Sequence, residues 1–305
     1  MSTGSFDPDE IRQALLQNGL SDMLSEAQVV MLESALSALG QRSAEVEQLQ
    51  APDVSAEAFR EWADQLVQMF DNCEFTGEIV DSTVRFAITW AWWATVNRQA
   101  KAILCLYDAG LGADTPPLVR SMIEHCLWSV ALARDEGPLL TTIFRLADAE
   151  RKKMIKDAVG GLLELPAEIL ALVDATPSPS GEGSPTKSFA GICRDLGVSK
   201  TVGVIWRMLS SLSHPTSTTA YFLTQPSAEG VKITKTPALP GVDPAGLAEQ
   251  AVSLAVQCML WAGFAIDRLM ATHPLRSTLE TVAAEARVAD LGEQGPSVDT
   301  GASRT

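Results

Sequence analysis

Six consecutive residues, Arg120-Ser121-Met122-Ile123-Glu124-His125, place a guanidinium, a carboxylate and an imidazole within two helical turns. Such groups can bind an anion, steady developing charge and move a proton. They follow Thr115-Pro116-Pro117, a helix-start signal. At roughly 100° per residue, Arg120 and Glu124 share a face, and Leu127 and Ala131 continue the stripe. An arginine and a glutamate are therefore expected to project towards the core. A charge there needs a partner, and the i, i+4 spacing supplies one. Two readings follow: an ion pair that fixes helix register, or a clamp for an anion or substrate in a polar pocket. His125 lies about 140° around the helix from Arg120, so one helix does not aim both at a single point. A lone histidine on a mixed face reads as structural more readily than as catalytic.

A second constellation is Trp206-Arg207-Met208-Leu209-Ser210-Ser211-Leu212-Ser213-His214-Pro215. Proline disfavours helix at the residue before it, which puts His214 at a helix end. There it either meets the last carbonyls and the helix dipole, or lines a pocket mouth with the hydroxyls of Ser210, Ser211 and Ser213 as an acid or base. No G-x-S-x-G elbow accompanies it, so Ser213-His214 is not a nucleophile dyad. Weaker binding candidates are Asn97 and Lys101, which share a stripe of a long helix, and Arg151, in a basic cluster with Arg145, Lys152, Lys153 and Lys156. Asp148, Glu150 and Asp157 dilute that cluster, which favours a solvated face.

The elements that must position these residues are helices. Ser55 opens one carrying Phe59, Trp62, Leu66, Met69 and Phe70 at spacings of three and four. A long helix is expected from about Glu78 to Asp108, stopped by Gly110, and apolar on every side over Phe86–Val96 as a central helix would be. Further helices are expected over 115–134, 138–159, 166–174, from about 188, over 202–212, 244–271, and from beyond His273-Pro274 to about Leu291. Residues 1–54 read as an acidic helical appendage with nine acids against two bases, and 55–291 as the main bundle. The Pro/Gly/Ser stretch 176–186 reads as a mobile linker, 224–243 as an irregular loop with room for one short hairpin, and 292–305 as a disordered tail. The expected fold class is all-α: a bundle of about eight to ten helices, centred on those at 78–108, 115–134 and 244–271.

Composition narrows the function classes. With 46% apolar and 20% charged residues the chain is globular rather than disordered. A net charge of −15 repels phosphate backbones and anionic lipids, which argues against non-specific nucleic-acid binding while leaving room for a local basic pocket. Five scattered cysteines without a C-x-x-C pair point to reduced core thiols. The uncharged stretch Ala251–Ile266 falls short of a membrane span and reads as a buried helix, and no signal-peptide pattern opens the chain. A cytoplasmic location follows as the expectation. There is no Walker A, G-x-G-x-x-G, H-E-x-x-H or EF-hand loop, and only three histidines, so neither a cofactor nor a metal is expected.

The R-S-M-I-E-H helix, the later S-S-L-S-H-P helix end and the Ala149-Glu150-Arg151-Lys152 segment between them together resemble a bacterial all-helical family of unknown function, over about residues 60–270. A looser similarity is to the HEPN superfamily of small nucleotide-binding helical bundles, through Arg120-Ser121 followed by His125. That similarity implies a metal-independent ribonuclease of a toxin or phage-defence system, with a site assembled across a homodimer. In it Arg120 would stabilise phosphate charge, His125 or His214 would act as acid or base, and Glu124 would orient Arg120. The other function class is a non-enzymatic protein that binds a small anion or a partner protein, with Arg120 and Glu124 as an internal polar anchor.

Overall fold

Apolar residues at helical spacing, punctuated by proline starts and glycine stops, give a chain of helices, and the computed structural model bears this out. It describes residues 54–73, 78–80, 82–135, 138–159, 188–213, 224–227, 230–233 and 244–292. Eight α-helices occur among them: α1 (Ala56–Asp71), α2 (Thr83–Asp108), α3 (Pro116–Arg134), α4 (Pro138–Val159), α5 (Phe189–Asp195), α6 (Val202–Ser213), α7 (Pro244–Asp267) and α8 (Arg276–Ala286). The chain divides into two compact units, and all eight helices belong to one of them. The other contains a two-stranded antiparallel hairpin, β1 (Thr224–Ser227) with β2 (Gly230–Ile233), in which Gln225 pairs with Lys232. The expected helices in 1–54 and at 166–174, the linker, the tail and His214 lie outside the described residues.

The bundle is centred on α2, α3 and α7, which pack on one another more extensively than any other helices. Trp93, Ile103, Met122, Ile123, Leu127, Met259, Leu260 and Ile266 are the large side chains sealed between them. α1 lies against α7 and α2, α5 and α6 against α3, and α8 against α7 and α1. α7 contains the one described helix long and apolar enough to cross a membrane, Ala248–Asp267, and 72% of its most apolar stretch is buried inside the bundle.

Three helix ends differ from the sequence expectation, each for a local reason. α2 begins at Thr83, not Glu78, because Ser82 caps it by accepting the Arg85 N–H. The residues before the cap are extended instead: Val80 N–H donates to the Leu269 carbonyl, and Ala271 N–H to the Glu78 carbonyl. α7 stops at Asp267 rather than Ala271, since the chain turns there through His273, whose φ is 46°. α8 stops at Ala286 rather than Leu291, because Arg287 adopts a left-handed conformation at φ 55°. The end of α2 is as expected: Gly110, at φ 71°, donates to the Tyr107 carbonyl and turns the chain. Two residues on, a Cβ at Gly112 would sit 2.2 Å from that of Ala248, so glycine permits the α2–α3 connection to press against α7.

Candidate functional site

α3 presents two faces. Val119, Met122, Ile123, Cys126, Leu127 and Val130 are buried and hold the helix in the core. Thr115 and the prolines at its first two positions fix where it starts, and hence which way each later residue points. Arg120 and Glu124, one turn apart, consequently lie together at the edge of the buried face and meet α6 rather than entering the core. Their side chains keep 26% and 30% of their surface exposed.

On α6 the residues that meet them are also one turn apart. Ser210 donates to the Trp206 carbonyl at 2.8 Å and accepts from Arg120 Nε at 2.8 Å. Arg120 Nη2 donates to Glu124 Oε1 at 3.0 Å, and Trp206 Nε1 donates to the same oxygen at 2.9 Å. The Arg120 guanidinium also lies over the Trp206 ring, 5.1 Å from its centroid. Phe189 of α5 backs that ring at 4.7 Å between centroids. The arginine is thus held by a hydroxyl, a carboxylate and an aromatic face. Among the described residues its Nη1 and the Oε2 of Glu124 take no hydrogen bond. The arrangement can present a fixed donor edge to an incoming acceptor at a surface only partly open to water.

The remaining candidates do not join this network. His125 turns back on its own helix: its Nδ1 donates to the Ser121 carbonyl at 2.7 Å, while Ser121 Oγ accepts from Gln99 of α2 at 2.7 Å. It therefore faces the α2 side and Arg120 faces the α6 side. Asn97 is 1% exposed and donates to the Trp93 carbonyl, so it lies inside the bundle and lines no cleft. Lys101 is half-buried and pairs with Asp71 at 2.7 Å. Arg151 pairs with Asp148, which also holds Lys152 at 2.8 Å, an ion-pair ladder along α4. Ser213 donates to the Leu209 carbonyl at 2.6 Å within α6. The structure thus brings together Arg120, Glu124 and Ser210.

Trp206 completes that group and was not singled out as a site residue on sequence grounds. Its position four residues before Ser210 was the available signal, since i, i+4 places the two on one face. A second cluster escaped the sequence reading altogether. At the α7–α8 turn, Asp267 is fully buried and accepts from Leu275 N–H at 2.9 Å and Arg276 Nε at 3.0 Å. His273 Nδ1 lies 2.9 Å from the Asp267 carbonyl, and Arg268 pairs with Asp290.

Cysteine chemistry has no place among these residues. Burial pushes the Cys193 thiol up to about 11, and burial, then the neighbouring Cys258 thiol, hold Cys126 well above the ordinary thiol range. Both stay protonated and unreactive at neutral pH. No group of three His, Cys, Asp or Glu side chains among the described residues is placed to hold a metal ion.

Residues 86–230 match a family of unknown function (DUF5677). The resemblance to a helical family without an assigned role is met over that segment, which includes Arg120, Glu124, Trp206 and Ser210. No curated protein and no solved structure matches the chain.

Proposed function

We propose that this chain is a binding protein rather than a catalyst, and that it takes its ligand at the α3–α6 seam. The ligand group is a small anion, or a side chain of a partner protein, that accepts from the outward edge of Arg120. The observation that supports this is the clamping of Arg120. Ser210, Glu124 and Trp206 order the guanidinium in advance, while about a quarter of its surface stays in solvent. An arginine ordered before binding loses less entropy when its ligand arrives. His125, the nearest imidazole in sequence, bonds back to its own helix and does not join the Arg120 network.

The test reads Trp206, whose indole N–H bonds the carboxylate of the site. Its nuclear magnetic resonance signal is assigned by its loss in Trp206→Phe and followed during titration with phosphate, sulfate, citrate and glutamate. The signal should shift saturably with at least one anion, and Arg120→Lys should abolish the shift while the protein stays folded. No response to any of the four, or an equal response in Arg120→Lys, would refute the reading for small anions.

A second reading is the HEPN-like ribonuclease. One observation favours it: Arg120 is bonded to Ser210, four residues before His214. Cells expressing the wild type would then lose RNA integrity and stop growing. Arg120→Ala and His214→Ala, shown to be folded by circular dichroism, would do neither. Harmless expression of all three proteins rejects this reading.

A further inference from the structure

A cavity of about 400 Å³ opens between α7, α8 and the chain that follows α8. The end of α8 makes it. Arg287 is left-handed, so the chain reverses, and Val288 N–H donates to the Ala283 carbonyl at 2.9 Å. The returning segment is then fastened to α7. Trp261 Nε1 donates to the Ala289 carbonyl at 3.0 Å, and Arg268 pairs with Asp290. Trp261, Phe264 and Arg268 follow one another at spacings of three and four, which puts them on one stripe of α7. Phe264 lines the cavity from that stripe, with α8 on one side and residues 288–290 on the other.

Four charged side chains line this cavity, and they divide into two pairs. Arg276 and Asp290 belong to the structural network of the turn. Arg276 Nε donates to Asp267 at 3.0 Å, and its guanidinium lies over the Phe264 ring, 5.4 Å from the centroid. Asp290 holds Arg268 through Oδ2 and accepts the Gly292 N–H through Oδ1 at 2.9 Å. Glu280 and Arg287 are exposed, and among the described residues they form no ion pair with each other or with any other side chain. They stand seven residues apart, on nearly one face of α8 and roughly 10 Å apart along its axis. Between them the cavity is lined from α8 by Ala283 and Ala284, whose methyl groups leave the room. The result is an apolar floor with an acid at one end and a base at the other.

We infer that this cavity is a second binding site, and that it takes a free amino acid with an aliphatic side chain. Glu280 receives the ammonium group, Arg287 receives the carboxylate, and the side chain lies against Ala283, Ala284 and Val288. The formal charges of the four lining groups cancel, so an anion or a cation would meet one favourable end and one unfavourable end. A zwitterion meets both ends favourably. The carboxylate suits the planar fork of a guanidinium, which donates to it in pairs. The ligand is small because the cavity lies at the lower end of the range for small-molecule sites. Its side chain is aliphatic because alanines and a valine supply the apolar wall, while Arg276 already lies over the one aromatic ring of the lining. The site is separate from the α3–α6 seam: among the described residues, none from α3 or α6 lines it.

The experiment follows the indole N–H of Trp261, which bonds the carbonyl of the lining residue Ala289, by nuclear magnetic resonance of the full chain. Its signal is assigned by its loss in Trp261→Phe. The probes are L-leucine, L-methionine and, as a leucine without its ammonium group, 4-methylpentanoate. Wild type is compared with Glu280→Gln, Arg287→Asn and Ala284→Leu. All three positions are exposed, asparagine tolerates the left-handed backbone at 287 and leucine is a good helix former, so the folds should survive, which circular dichroism checks. The expected result is a saturable shift with leucine or methionine that weakens by about fivefold in Glu280→Gln and in Arg287→Asn. Ala284→Leu, which fills the cavity, should abolish it. Binding of 4-methylpentanoate as tight as that of leucine overturns the zwitterion class. An undiminished shift in all three variants, or a shift of the Trp206 signal with none at Trp261, overturns the site. No saturable shift with either amino acid in wild type overturns the inference outright.

Discussion

At the α7–α8 turn the carboxylate of Asp267 is wholly buried, whereas at the α3–α6 seam that of Glu124 keeps 30% of its side-chain surface exposed. Both pair with an arginine that also lies over an aromatic ring, Phe264 for Arg276 and Trp206 for Arg120. Both accept a second donor. They differ in what remains. Asp267 uses both oxygens, one for the Leu275 backbone and one for Arg276, with His273 Nδ1 3.3 Å from the latter. Glu124 uses Oε1 twice, and Oε2 takes no hydrogen bond among the described residues. A buried carboxylate with both oxygens engaged fastens a turn. A half-exposed one with capacity left over leaves its arginine able to do something else. Burial and remaining hydrogen-bonding capacity, not residue type, separate the two networks.

The largest expected effect is at the buried network. Asp267→Ala takes the buried carboxylate from Arg276, which keeps Asp290 at 3.8 Å, and the acceptor from the Leu275 N–H; breaking a buried pair by removing one member costs about 3–5 kcal/mol. Urea denaturation measures it directly. A loss below about 1 kcal/mol would place Asp267 in the same class as a surface pair and dissolve the contrast. Asp267→Asn sharpens it. The amide keeps an acceptor for Leu275 but loses the charge-assisted bond to Arg276, so about 1.5–3 kcal/mol is expected in the same assay.

The unequal legibility of the two networks in the sequence has a physical cause. Arg120 and Glu124 are paired by helical geometry alone, so their pairing could be read from a spacing of four. The contact of Arg120 with Ser210 spans 90 positions and depends on how α6 lies on α3, which no periodicity encodes. Asp267 ends a run of apolar α7 residues, and its partners come from a turn eight and nine residues on, through a His273 backbone in a left-handed conformation. A single acid after Ala251–Ile266, followed by His273-Pro274 and Arg276, was the only trace. The three central helices were legible because long apolar runs dominate them, and proline or glycine marks their starts or ends. The true start of α2 was not, because residues 78–80 are held by the turn after α7 and not by their own propensity.

At the exposed network, Trp206→Phe keeps an aromatic face under Arg120 and removes only the donor to Glu124. The expected cost is about 1 kcal/mol, the net worth of one hydrogen bond, read from the urea midpoint. A cost near that of Asp267→Ala would mean that the seam is a structural fastening after all, and the binding reading would lose its main support.

The smallest effect expected is that of Glu124→Gln. The amide can still accept from Trp206 and Arg120, and the charge it removes is nearly one-third exposed. Its contribution to stability should be below about 1 kcal/mol and should fade as salt is raised towards about 1 M, where the Debye length shrinks to roughly 3 Å. The same change leaves Arg120 with its full positive charge at the seam. Glu124→Gln should therefore bind an anion such as phosphate more tightly than wild type while melting almost as it does. Weaker binding in this variant would mean that Glu124 serves the ligand by orienting Arg120 rather than opposing it by charge. Stability and binding thus move in opposite directions at Glu124, whereas at Asp267 only stability should change.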